Sequence, residues 1–224
     1  MNAPADEVLL LTGCVDPGST PFLKIRDAEA RLADYISSIA TWIDESDFRA
    51  IVFCENSGYA HSYRDLMDRA EAAGKRLEVL VFRGNEGAQL YGKGYGEGEI
   101  LKYAVDNSRL IAEGGAFYKA TGRIYVRNVN SIIARDAGKP NVFIHFTSWK
   151  YVDTRFFKCD LGFFKDTLRE AYLDVRDRDK VSIERVYKRK LKGLGLPVFS
   201  EFPDIVGLCA SSGIAYDFSA ARLG

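Results

Sequence analysis

Three short apolar runs, each ending in small or charged polar residues, constrain this chain more than any other feature. Val8–Leu11 reads Val-Leu-Leu-Leu and stops at Thr12-Gly13. Arg49–Phe53 stops at Cys54-Glu55-Asn56-Ser57, and Leu77–Phe82 stops at Arg83-Gly84-Asn85. A continuous apolar run of this length fits a strand buried on both faces. Helical spacing fills the gaps: Asp27–Asp44 carries Leu32, Ile36, Ile39 and Ile43 on one stripe, and Tyr63–Ala73 is closed by Gly74. Three strand–helix units in series predict an α/β fold, a single domain with a mostly parallel central sheet and helices on both faces. In such sheets ligands bind beyond the C-terminal ends of the strands, so the three polar ends are expected to share one crevice. The alternative is that polar loops follow strands in every α/β protein.

The stretch from Leu90 to Asn128 is the least ordinary. It opens with Gly92, Gly94, Gly96 and Gly98, with Lys93 and Glu97 between them. Glycine lets backbone approach a ligand closely, and such a loop leading into a helix is a natural anion site. The helix is expected through Ile100, Leu101, Ala104 and Val105. After a Gly114-Gly115 turn, one strand is expected over Phe117–Val126, containing Lys119-Ala120-Thr121-Gly122-Arg123. Lys93, Lys119 and Arg123 are the cations placed to face a diphosphate. The plain alternative is a surface loop and an edge strand with solvated cations. No G-K-[ST] follows the glycines, which excludes a Walker A loop.

Further along, Val142–Phe146 reads as a strand. Tyr151–Phe164 is aromatic-rich, a sugar or base platform or simply core. Phe163–Val175 and Ser182–Leu191 read as helices, with Glu184 in the first turn of the second. An acid there suits the helix dipole or serves as a catalytic carboxylate. Tyr187–Leu196 (YKRKLKGLGL) mixes four cations with apolar residues, as a solvated helix end or as a contact with an anionic membrane surface. Gly207–Gly213 is a small-residue loop able to close over a ligand.

The formal net charge of zero gives no whole-molecule field for nucleic acid. Cys14, Cys54, Cys159 and Cys209 form no CxxC pair, and only two histidines are present, which argues against structural zinc. Reduced thiols, an acidic rather than basic N-terminus and no apolar run of spanning length point to a cytoplasmic protein, at the inner face of the membrane if the basic stretch docks there.

LTGCVDP with Asp27 and Arg31 after it, CENSG, GKGYGEGEILKYA, FYKATGRIYVRN, VDTRFFKCDLGFF, SIERVYKRKL and GLCASSG together resemble bacterial GT-A-type glycosyltransferases of the nucleotide-diphospho-sugar transferase superfamily, of the kind acting in lipopolysaccharide, O-antigen or capsule biosynthesis. The resemblance runs through most of the chain. It implies a nucleotide-sugar-binding half over 1–128 and an acceptor-binding half over 129–224. It places Thr12, Gly13 and Arg31 near the nucleotide, and Glu55, Asn56 and Ser57 near the base or ribose. Lys93, Gly94 and Glu97 would face the donor sugar, with Thr121, Gly122 and Asp153 also on the donor side. The donor would be a UDP- or GDP-sugar and the acceptor a glycan or lipid-linked glycan.

The family pattern usually has an Asp-x-Asp metal motif where this chain has Lys119–Arg123. No metal ligand set is therefore assigned; Mg²⁺ or Mn²⁺ stays open, with Asp153 a lone candidate. The expected chemistry is neutralisation of the leaving diphosphate by Lys119 and Arg123, and deprotonation of the acceptor hydroxyl by Glu184. The alternatives are a sugar-phosphate nucleotidyltransferase and a non-catalytic nucleotide- or glycan-binding module.

Overall fold

The computed structural model describes residues 7–21, 23–145, 151–208 and 215–217. Val8–Gly13 (β1), Ala50–Glu55 (β2) and Arg76–Val81 (β3) pair in parallel, β2 lying between β1 and β3. Every residue of β1 and β2 is buried, as their apolar runs require. Alternate side chains serve two cores. Leu9 and Leu11 join Ile51 and Phe53 on one face, while Val8 and Leu10 join Val52 and Cys54 on the other. Each fully buried leucine contributes about 1.5–3 kcal/mol.

Ala28–Glu45 (α1) covers the first face. Asp27 caps it, its Oδ1 accepting from the Ala30 N–H at 2.8 Å. Leu32, Tyr35, Ile39, Trp42 and Ile43 turn inward at helical spacing. Arg64–Ala72 (α2) joins β2 to β3. Glu86–Tyr91 (α3), Lys93–Asn107 (α4) and Arg109–Gly114 (α5) follow β3. The chain then crosses the sheet to Ala116–Thr121 (β4), which pairs in parallel with the other edge of β1.

The expected single strand over Phe117–Val126 is two strands. At Gly122 the backbone N–H donates to the Thr12 carbonyl at 2.9 Å, and the chain leaves the sheet. Ile124–Val126 (β5) is held elsewhere: the Ile124 carbonyl accepts from Trp42 Nε1 at 2.8 Å and Ser38 Oγ at 3.0 Å. Val129–Asp136 (α6), Val142–His145 (β6) and Val152–Asp160 (β7) follow. β7 runs antiparallel between β4 and β6, completing the order β3-β2-β1-β4-β7-β6. Phe156, Phe157 and Phe164 of the aromatic-rich segment are buried and belong to the core, whereas Tyr151 at its start is exposed.

The helix expected over Phe163–Val175 is broken. Leu161–Phe163 (α7) runs into one π turn, Phe164–Leu168, closed by Arg169 N–H on the Phe164 carbonyl at 2.8 Å. Short 3₁₀ turns follow at Ala171–Asp174 and Asp177–Asp179. Ile183–Leu191 (α8) then packs on the second face with α4 and α5. Ile205–Leu208 (β8) and Ala215–Asp217 (β9) form a small sheet with β5. Phe146, Cys209 and most of the tail loop expected to close over a ligand lie outside the described residues.

The sheet thus has both faces covered by helices, and is an α/β sheet in which five strands run in one direction and only β7 opposes them. Strand order reverses direction at β1, whose two neighbours are β2 and β4. That is a topological switch point, where crevices open in doubly wound sheets.

Candidate functional site at the switch point

A cavity of about 190 Å³ opens at the C-terminal ends of β1, β2 and β4. Thr12, Gly13 and Cys14 enter it from β1, Asn56 from β2, Asn85 from the β3 end and Thr121 from β4. All three polar strand ends therefore meet, as the sequence predicts. Lys93, Gly94, Gly96 and Glu97 come from α4, and Glu184 from the first turn of α8.

The glycine segment is not a loop. Only Gly92 stands outside the helix, with φ 112°. Gly94, Gly96 and Gly98 are buried within α4, where each lets another element touch the helix backbone. A Cβ on Gly94 would lie 3.1 Å from Ile183 of α8, and one on Gly98 only 2.0 Å from Tyr172 Cβ. The N-terminus of α4, the expected anion site, already holds a carboxylate. Asp177 Oδ2 accepts from the Gly94 N–H at 3.2 Å, and its side chain sits against the Cα of Gly92, where any Cβ would collide. Burial pushes the Asp177 carboxyl above the usual carboxylate range, against the pull of the Gly94 N–H and the Lys93 charge.

Arg31 and Arg123 flank the ring of Tyr35, 6.0 and 5.7 Å from its centroid. Arg31 is buried and organises the loop after β1. Its Nε donates to the carbonyls of Cys14 and Val15 at 3.0 and 3.1 Å, and its Nη1 to that of Ile25 at 3.1 Å. The Tyr35 hydroxyl accepts from the Cys14 N–H at 3.0 Å. Arg123 is paired with Asp34 at 3.3 Å and lines the cavity. Desolvation raises the Cys14 thiol to about 12, so it stays protonated and inert.

Asn56 is fully buried, yet neither Nδ2 nor Oδ1 of its amide has a partner in the protein. Its backbone is satisfied, the N–H donating to the Gly13 carbonyl at 3.2 Å and the carbonyl accepting from the Gly84 N–H at 2.8 Å. Leaving both ends of a buried amide unmade costs about 1–3 kcal/mol per group. Both atoms sit behind the cavity wall without accessible surface, and an ordered water or a ligand group reaching them would satisfy them.

Five residues expected at the site lie off the cavity wall. The Glu55 carboxylate is fully buried and folds its own loop, accepting from the N–H groups of Val15, Ser57 and Gly58 at 2.9, 2.8 and 3.0 Å. The Ser57 hydroxyl is turned onto the same carboxylate. Gly122 serves the β1–β4 junction. Asp153 is taken by Arg155, whose Nε donates to Oδ1 and Oδ2 at 2.9 and 3.0 Å, and it is Arg155 that lines the cavity. Lys119 is fully buried on the interior strand β4, where it pairs with Glu97 and donates to the Thr154 carbonyl of β7 at 2.6 Å. Among the described residues no group of three His, Cys, Asp or Glu is arranged to hold a metal ion. With Asp153 already bound by an arginine, these described residues do not present a donor set for a divalent cation.

Tyr35, Arg155 and Asp177 are the site residues the sequence did not single out for a role. Tyr35 is indistinguishable from core on the inward stripe of α1. Arg155 and Asp177 reach the cavity from elements far along the chain from the strand ends they meet, and no local pattern marks such contacts.

No family model matches the chain, and no curated protein matches it. Among solved structures, a protein assigned as a nucleotide-diphospho-sugar transferase from Desulfovibrio desulfuricans G20 superposes with a TM-score of 0.51, at 12% identity, over 87% of this chain and 79% of that one. A protein assigned as a glucose-1-phosphate thymidylyltransferase from Bacillus anthracis, solved with sucrose, gives 0.49 at 9% identity, over 90% and 89%. The first likeness establishes a shared nucleotide-diphospho-sugar transferase-like fold and nothing finer; the second is too distant to add to it.

Proposed function

We propose that this chain is a glycosyltransferase that takes a sugar from a nucleoside diphosphate and passes it to a glycan or lipid-linked acceptor in cell-surface polysaccharide assembly. The observation that carries the reading is the orphaned Asn56 amide in a cavity at the switch point. A planar ligand edge with one donor and one acceptor, such as a nucleobase presents, satisfies both of its atoms once a small opening of the wall exposes them. Cations lie along the same cavity. Arg123 and Lys93 face it and are the groups for a departing diphosphate. Lys119 acts one step removed, fixing Glu97 at the wall. Glu184, half-buried on the first turn of α8, is the base for the acceptor hydroxyl. Acceptor contacts then fall to the half of the chain after residue 128. Because the cations do the work of a metal ion, donor binding is expected without one.

A sugar-phosphate nucleotidyltransferase needs cations in the loop after the first strand. Here the loop carries only Lys24 and Arg26, and Arg26, like Arg31, is spent on loop carbonyls, those of Gly18 and Thr20. This favours the glycosyl-transfer reading.

Calorimetry with UDP, GDP and CMP, each in EDTA and in Mn²⁺, tests the proposal. Micromolar binding of one nucleoside diphosphate in EDTA, weakened about tenfold or more by Arg123→Ala, is the expected result. Binding that requires Mn²⁺ overturns the metal-independent form, and no binding in either condition overturns the reading. Glu184→Gln is expected to lower transfer about 10²–10⁴-fold with donor affinity kept.

A further inference from the structure

The C-terminal half of α8 and the segment after it form a surface that the cavity does not use. Lys188, Arg189, Lys190 and Lys192 lie within five residues, with no acid among them, in a chain whose formal net charge is zero. Arg189 and Lys190 approach Asp174 at 3.9 and 4.0 Å, and all three side chains are about half exposed, so this one acid offsets at most one of the four cations. A helix C-terminus accounts for some of these cations, since the dipole favours them there.

The dipole does not account for the apolar residues beyond the helix. Leu194 and Val198 expose 49% and 53% of their surface, on a backbone where Gly193 and Gly195 have nothing near them. Beside them is a second cavity of about 240 Å³, walled by Val152, Leu191 and Leu196 and edged by Lys188 and Lys192. Leu194, held out to water two residues beyond the last of four cations, with Val198 exposed four residues further on, matches one kind of surface: an anionic, apolar-cored one.

We propose that this patch is a peripheral docking site for an anionic lipid bilayer, the cations meeting headgroup phosphates and Leu194 and Val198 entering the acyl boundary. No helix among the described residues is long and apolar enough to cross a membrane, so the contact is with the surface. Glu184 and Lys188 lie one helical turn apart on α8, one lining each cavity. The two cavities are thus separated by about 6 Å of helix rise, and a docked patch holds the switch-point cavity near the lipid surface. The patch stands independently of the nucleotide reading, and its variants touch no residue of that cavity.

The test is co-sedimentation of the full chain with vesicles of phosphatidylglycerol and phosphatidylcholine, and of phosphatidylcholine alone. Binding is expected to the mixed vesicles only, and to fall as salt rises. Lys190→Gln and Lys192→Gln together are expected to lower the partition about 25-fold, at about fivefold per cation, and Leu194→Glu with Val198→Glu at least tenfold, with nucleotide affinity unchanged. Equal binding to both vesicle types, or mixed-vesicle binding indifferent to both variants, overturns the proposal. Retention on heparin without vesicle binding overturns it in favour of a soluble polyanion.

Discussion

The Lys119 ammonium has no exposed surface and donates to the Glu97 carboxylate, whereas Glu97 keeps 22% of its side chain accessible at the cavity wall. The two halves of this pair are therefore unequal. Removing Glu97 strands a cation in the sheet with only Thr121 Oγ1 at 3.2 Å and the Thr154 carbonyl for company. Removing Lys119 strands a carboxylate that water can reach. Breaking a buried pair costs about 3–5 kcal/mol when the remaining charge is trapped. Glu97→Gln is expected near the lower end of that range, and Lys119→Met at about half of it, by urea unfolding at pH 7. Equal losses, or a larger loss for Lys119→Met, would place the energetic burden on the wrong partner.

The glycines of α4 carry the second prediction. In an open helix, glycine to alanine gains about 1 kcal/mol. At Gly98 the new methyl would stand 2.0 Å from Tyr172 Cβ, which must move. Gly98→Ala is expected to destabilise by about 1–3 kcal/mol, the usual cost of overpacking. Gly138, around which nothing lies within 4 Å, is the control, and Gly138→Ala is expected to be neutral or slightly stabilising. A stabilised Gly98→Ala would mean that α4 and the Tyr172 turn are not packed backbone to side chain.

Those same glycines mark where sequence reasoning stopped. β1, β2 and α1 were legible because burial on two faces, or on one helical stripe, writes itself into period and composition. Gly94, Gly96 and Gly98 together cost a helix about 3 kcal/mol of propensity, so a loop was the natural reading. Contacts with Ala88, Tyr172 and Ile183 outweigh that cost, and the last two come from elements far along the chain. The convergence of strand ends on one crevice was equally legible, since sheet topology dictates it. Which side chain of each end faces the crevice was not: Glu55 and Asn56 are neighbours, and the more chemically suggestive one folds the loop.

Asp177 gives a pH dependence whose sign follows from its burial. Its folded pKa lies above the unfolded value, so the folded state holds the proton more tightly. Between about pH 4 and the folded pKa, the folded state binds more protons, and its stability falls as pH rises. Above that window the penalty is fully present. Asp177→Asn keeps an oxygen for the Gly94 N–H and cannot ionise. The difference in unfolding free energy, variant minus wild type, is expected to grow from pH 4 toward neutrality and then level off. A flat difference between pH 3 and 7 would show that Asp177 titrates alike in both states.

Asn56 separates stability from function most sharply. In the unliganded protein its amide is a cost, because both polar atoms are buried and unpaired. Asn56→Leu replaces them with apolar atoms of similar size and leaves the backbone bonds to Gly13 and Gly84 in place. The variant is expected to unfold about 1–2 kcal/mol harder than wild type without ligand. The same change removes the donor and acceptor offered to a nucleobase edge, so affinity for the preferred nucleoside diphosphate is expected to fall tenfold or more by calorimetry. Conserved binding in a stabilised Asn56→Leu would move the base away from β2 and leave the diphosphate cations as the anchor. A destabilised variant with lost binding would show instead that the amide is satisfied within the free protein, and that its orphaned state is not what selects the ligand.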